Sequence, residues 1–176
     1  RRCSLAHSHR RPWTFPRLAG VEWMVDVVDP ATRSRMMSGI GGRNTKPEII
    51  VRKALFAAGY RFRLHRKDLP GRPDVVLPVH RVAVFVHGCF WHAHSGCRYA
   101  KTPASRREFW EAKLAANVER DRCARDALLS AGWRVLVVWE CATRSTEARE
   151  ALPVLLTRWI NGDDVSGEFC SGSTPP

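Results

Sequence analysis

Residues 81–97, RVAVFVHGCFWHAHSGC, constrain this chain most, because seventeen residues hold an apolar run, a glycine turn, two adjacent large rings, three histidines and two cysteines. Val82, Ala83, Val84, Phe85 and Val86 read as a strand covered on both faces, which belongs in the centre of a sheet. His87 and Gly88 end the run, so the polar groups that follow emerge at the sheet's end, where they can converge on a ligand. Cys89, His94 and Cys97 then fall within nine residues, a density of thiolate and imidazole that suits tetrahedral zinc. Cys141, at the end of the later apolar run 133–140, supplies the fourth ligand if that strand lies beside the first. A lone cysteine is more often a small buried hydrophobe, but the clustering favours the metal. Structural zinc contributes on the order of 10 kcal/mol to folding, enough to order a polar loop.

The chain of 176 residues fits one domain, and its net charge of +12 implies a polyanionic partner, nucleic acid before an anionic membrane surface. No stretch approaches the roughly 20 apolar residues that cross a bilayer, so a soluble protein is expected. Six cysteines, unevenly spaced and mixed with histidines, suit metal ligation and spare thiols in a reducing interior better than a disulfide framework.

Residues 1–23 hold five Arg and two Pro without a hydrophobic period and read as a disordered basic extension ahead of Met24. A folded domain is expected over 24–161 and a flexible tail over 162–176, which is rich in Gly, Ser, Asp and Pro. Asp29-Pro30 starts a short basic helix bearing Met36 and Met37. Thr45 and Glu48 form a capping box ahead of a helix to residue 58, stopped by Gly59. Alternation over 60–65, the run after Asp74 and the central run make three strands in quick succession, an antiparallel meander with a helix on one face. A long basic helix over 103–131 leads to the strand 133–140, and a crossover of that length suits parallel pairing. A last helix over 145–160 carries Pro153, which should kink or divide it.

Pro73-Asp74 at the head of a strand, behind the helical Glu48 and ahead of a strand ending in polar groups, has the layout of the restriction-endonuclease-like nucleases. The acid and lysine usual on the next strand are missing near Phe85 and His87. A fuller pattern, DPATRSRMMSGI, LPGRPDVV, HGCFWHAHSGC, EFW, NVERDR and GWRVLVVWEC in this order, resembles the very short patch repair (Vsr) mismatch endonucleases over about residues 25–160. The resemblance implies an α/β fold with a mixed, mainly antiparallel central sheet flanked by helices and a structural zinc. It implies that Asp74 and the backbone carbonyl of Val86 hold catalytic magnesium, that His92 is the general base on the attacking water, and that His87 and Glu48 orient water or metal-bound groups. The family's zinc ligands fall on Cys89, His94, Cys97 and Cys141, with one extra residue, in Ser95-Gly96, before Cys97. Phe90, Trp91 and Trp110 correspond to rings that insert into the DNA stack beside a mispair, and Met37 to a wedge from the other groove.

Physics supports these roles. Phosphodiester hydrolysis needs a nucleophile at neutral pH and neutralisation of developing charge, which magnesium supplies through one or two carboxylates. An imidazole can accept the proton that a lysine would otherwise handle. Unstacking a step costs a few kcal/mol, least at a mispair, so a wedge also discriminates. The expected activity is a magnesium-dependent nick 5′ to the thymine of a T:G mismatch in double-stranded DNA, the mispair arising from 5-methylcytosine deamination. Mismatch-repair proteins and a DNA polymerase would act downstream of a monomer in the bacterial cytoplasm, at the nucleoid and away from membranes. Two alternatives stand beside it: a restriction or phage-defence nuclease of other specificity, and a zinc-stabilised DNA-binding module without catalysis.

Overall fold

A computed structural model describes residues 32, 42–103 and 106–173. The chain divides into two units, Arg1–Ile40 and Gly41–Pro176, and every element below lies in the second. The basic extension 1–23 and Met37 lie outside the described residues; of the helix expected after Asp29 only Thr32 is described, and it is helical.

Helix α1, Lys46–Ala57, begins as its sequence dictates. The Thr45 hydroxyl accepts the N–H of Glu48 and the Glu48 carboxylate accepts that of Thr45, so two orphan donors of the first turn are satisfied reciprocally. Val51, Ala54 and Leu55 form its buried face. Gly59, at φ 88°, turns the chain out of the helix through a conformation that costs a residue with a Cβ.

Five strands follow in sheet order β1 (Arg63–Leu64), β2 (Val75–Leu77), β3 (Val82–His87), β4 (Arg134–Trp139) and β5 (Ser166–Phe169). The first three form the expected meander, although β1 keeps only two residues of the alternating stretch. Helix α2, Arg107–Ser130, carries the chain across to β4, which lies parallel to β3 over six residue pairs, and helix α3, Thr146–Asn161, carries it on to β5, parallel to β4. The expectation of a mainly antiparallel sheet is therefore corrected. Two pairings run each way, and the longest ladder is parallel because both late strands are reached through helical crossovers.

Alternate residues of β4 face opposite layers. Leu136 and Val138 join Val82 and Val84 of β3 in the core under α1 and α3, alongside Leu55, Leu152 and Leu156. Val135 joins Leu128 of α2 on the other face, and Val137 and Trp139 reach the cysteines beyond the strand ends. Helix α3 is capped by the Ser145 hydroxyl, which accepts the Ala148 N–H at 3.1 Å, and runs through Pro153 as one helix.

The stretch from 162 onward differs from the expected flexible tail, since residues 166–169 complete the sheet. Its composition hides the strand because the stabilisation is tertiary. Arg134 donates to the carbonyls of Trp159, Ile160 and Asp164 at 2.7–2.8 Å and lies 4.6 Å from the Trp159 ring centroid. The Trp159 indole in turn occupies the space over Gly167, where an added Cβ would lie 2.4 Å from Nε1. Gly167→Ala should therefore destabilise the protein by about 1–3 kcal/mol through overpacking, read as a lowered urea midpoint with unchanged slope. Gly172, with open space around it, should tolerate the same change.

Candidate active site

Because β3 and β4 are parallel and in register with His87 opposite Trp139, residues two beyond each strand, Cys89 and Cys141, leave the sheet side by side. The loop after β3 folds back through His92 N–H to the Gly88 carbonyl at 3.1 Å, His94 N–H to Cys89 at 3.0 Å and Cys97 N–H to His94 at 3.3 Å. Ligand atoms of Cys89, His94, Cys97 and Cys141 all come within 4.8 Å of one another. The His94 Nδ1 to Cys141 Sγ distance of 3.6 Å matches the about 3.6 Å edge of a tetrahedron built on zinc bond lengths of about 2.1 and 2.3 Å. Gly96 turns the chain before Cys97 at φ 67°, with nothing near its Cβ position. Burial pushes the Cys89 thiol up to about 12, and the neighbouring Cys141 thiol adds to the cost of ionising it. Three thiols and an imidazole so placed fit a zinc ion, whose charge would offset that cost. The His94 ring stacks flat on Trp139, with centroids 4.0 Å apart.

Asp74 opens β2, and the antiparallel pairing carries it to the end of β3, where its Oδ2 accepts the Val86 N–H at 2.7 Å. Burial, with the Glu48 charge adding, pushes its carboxyl up to about 6 against the opposing pull of the Val86 N–H, Arg52 and His92. Glu48 is almost wholly buried, and both its oxygens are engaged. Oε1 accepts the Thr45 N–H and hydroxyl; Oε2 accepts the Asn44 N–H at 3.0 Å and Arg52 Nη2 at 2.6 Å. His65 stands between the two acids, its Nε2 3.1 Å from Arg52 Nη2 and its Nδ1 3.9 Å from Asp74 Oδ1. Burial, and then the Arg52 charge, lower the His65 pKa.

On the other side, His87 and His92 stack with centroids 3.9 Å apart and planes 5° from parallel. His87 is buried at the strand end, and burial pushes its pKa down to about 3, so it stays a neutral imidazole. His92 Nδ1 lies 2.5 Å from Asp121 Oδ2 on α2. A carboxylate there holds the proton on Nδ1 and leaves Nε2 with a lone pair, the tautomer a general base needs.

The loop and the start of α2 bring their rings together. Phe90, Trp91 and Trp110 meet pairwise at 5.1–6.1 Å between centroids, and Phe109 meets Trp110 at 5.4 Å. The Lys113 ammonium lies 5.4 Å from both indole centroids. Asn117 donates to the Trp91 carbonyl at 2.8 Å.

Of the residues named from the sequence, the structure groups Asp74 with Glu48, His87 with His92, the cysteine and histidine quartet with one another, and Phe90 and Trp91 with Trp110. Asp121, His65 and Arg52 were missed. Lys113, Asn117 and Asp121 recur every four residues and so share a face of α2, a signal for Asp121 that surrounding charge obscures. His65 sits at φ 47° beyond a two-residue strand, where no periodicity announces it.

Asp74 offers a test of this electrostatic account. A carboxyl whose folded pKa is raised favours the fold fully below about pH 4 and loses that contribution as pH rises through about 6. Asp74→Asn should therefore stabilise the zinc-loaded, magnesium-free protein at pH 7.5 by about 2 kcal/mol, allowing for partial exposure, and by much less at pH 4. Denaturant titrations at the two pH values measure the difference.

Residues 25–98 match the family model described as DNA mismatch endonuclease Vsr. The chain is 50% identical over 128 residues to the type II nicking enzyme V.XorIIP of Xanthomonas oryzae, covering 73% of this chain and 93% of that one. It is 47% identical over 148 residues to the DNA mismatch endonuclease Vsr of Escherichia coli, covering 83% and 94%. It is 42% identical over 122 residues to the type II nicking enzyme V.NmeAIP of Neisseria meningitidis, covering 69% and 86%. Identity of this extent, spanning both strands that frame the site and the loop between them, makes the chain a member of the Vsr DNA mismatch endonuclease family of nucleases.

Proposed function

We propose that the protein nicks one strand of duplex DNA 5′ to the thymine of a T:G mismatch of the kind left by 5-methylcytosine deamination. The observation that carries the reading is that a carboxylate held by the Val86 N–H at the end of β3 lies within electrostatic reach of His92, which pairs with Asp121 and sits on a loop whose rings cluster with that of Trp110.

Asp74 and the Val86 carbonyl would hold magnesium, which when bound neutralises charge on the scissile phosphate and on the departing oxygen. His92 takes the proton of the attacking water at Nε2, while Asp121 holds Nδ1–H and stabilises the imidazolium that forms. His87, neutral and stacked face to face, keeps the His92 ring in its plane and orients water. Glu48 anchors the floor of the site, with both oxygens bound to α1 and to residues 44 and 45. Zinc on Cys89, His94, Cys97 and Cys141 would be structural, fixing the loop that carries both His92 and the rings. Phe90, Trp91 and Trp110 wedge beside the mispair, with Met37 approaching from the other groove; rings clustered in advance lose less freedom on insertion. The partner is mismatched double-stranded DNA bound by a monomer, with mismatch-repair proteins and a polymerase acting afterwards in the bacterial cytoplasm at the nucleoid. Among the described residues no helix is long and apolar enough to cross a membrane.

A nuclease of other specificity is the second reading, favoured by the relatives named as type II nicking enzymes rather than as mismatch endonucleases. End-labelled duplexes, matched and T:G-mispaired, with and without magnesium, separate the two: a magnesium-dependent nick confined to the mispaired duplex is expected, and equal cleavage of matched duplex would overturn the specificity. His92→Ala should slow nicking by about 10²–10⁴-fold and Asp121→Asn by about a hundredfold or more, while binding to mismatched duplex persists. A binding module without catalysis would give no nick from any variant. Metal analysis should find about one zinc per chain, reduced in Cys89→Ser.

A further inference from the structure

Asp74 has its Oδ2 fixed by the Val86 N–H, and its Oδ1 faces His65. The orientation of His65 follows from Arg52. A guanidinium can only donate, so its Nη2 at 3.1 Å makes His65 Nε2 an acceptor and puts the ring proton on Nδ1, the atom that looks at Asp74. Arg52 is itself locked in place: Nη1 donates to Asn44 Oδ1 and Nη2 to Glu48 Oε2, both at 2.6 Å. The same guanidinium puts a permanent positive charge against Glu48, which disfavours a divalent cation on that side and leaves Asp74 as the carboxylate open to one.

We propose that Arg52 and His65 form a positioning relay, Arg52 to His65 Nε2 and His65 Nδ1–H to Asp74 Oδ1, that presents the Asp74 carboxylate to the catalytic divalent cation. It rests on the assignment of Asp74 as metal ligand made above, and it adds two residues that touch neither metal nor DNA. The 3.9 Å gap closes directly or through one bridging water. Groups of this kind, bonded to a ligand rather than to the metal, typically change metal affinity 10–100-fold when removed.

Glutamine supplies the discriminating variant. Its carbonyl can accept from Arg52 and its amide can donate to Asp74, so His65→Gln reproduces both bonds, whereas His65→Leu offers a similar bulk and neither. Manganese binding to the zinc-loaded full chain, followed by electron paramagnetic resonance without DNA, should weaken about tenfold in His65→Leu and return to within about threefold in His65→Gln. The magnesium concentration for half-maximal nicking should shift in parallel, with the rate at saturating metal changed less than about threefold. Equal affinities for wild type, Leu and Gln variants would overturn the relay, as would a fall in saturated rate with affinity unmoved. Should the Leu variant not fold, Arg52→Lys keeps a cation on Glu48 but cannot also serve Asn44 and His65. Weaker manganese binding in it supports the relay and unchanged binding overturns it. A wild-type protein that binds manganese with these responses but nicks no T:G duplex would sink the functional reading and leave the relay standing.

Discussion

The parallel ladder between β3 and β4 is the constraint on which the rest of the domain depends. Its register sets His87 against Trp139, and the two chain segments that leave that pair carry His92 and the thiol and imidazole quartet: the loop with Cys89, His92, His94 and Cys97 from one, Cys141 from the other. A slip of one residue would turn every side chain to the opposite face, moving Leu136 and Val138 into the layer fitted to Val135 and Val137 and Trp139 away from His94. Both layers are packed, so it is the fit of particular valines and leucines to their own layer that holds the site in alignment. Trp139 then serves two neighbours at once, stacked on His94 and edge-on to His87, and its indole N–H is fixed at 3.0 Å by Glu168 of β5.

The electrostatics of the site divide along the same lines. One side holds a buried and a partly exposed carboxylate with one guanidinium; the other holds stacked imidazoles backed by a carboxylate on α2. Each carboxylate has a different environment and so a different role. Glu48 is saturated with donors and acts as a fixture of the fold, whereas Asp74 keeps a carboxyl that burial makes reluctant to ionise. An acid that burial keeps from ionising costs the fold stability at neutral pH, a cost that packing alone gives no reason to keep.

What could be read from residues alone was whatever depends on short spacing. The capping box at Thr45 and Glu48, the doubly covered run at Val82, and the thiol and imidazole cluster were legible because each signature lies within a few residues and has one dominant physical cause. The balance of parallel and antiparallel pairing was not, since it depends on where two crossover helices return the chain. β5 was hidden because Ser166 and Gly167 have poor strand propensity, and the strand exists through Arg134 and Trp159. Asp121 was hidden for a subtler reason. It lies inside NVERDR, one of the motifs that carried the resemblance, but its partner His92 is twenty-nine residues away and only the packed helix face joins them.

The placement of β5 also bears on how the chain is made. Translation delivers β3 and its loop early, yet β4, covered on both faces in the finished sheet, arrives some fifty residues later and keeps one bare edge until Phe169 has been synthesised. During that interval the nascent chain carries free thiols and an unpaired hydrophobic edge, a template for wrong partners. The serines, glycines and aspartates around β5, which make it look like a tail, are poor in the apolar residues that drive aggregation, so the strand that covers the β4 edge carries little risk of its own.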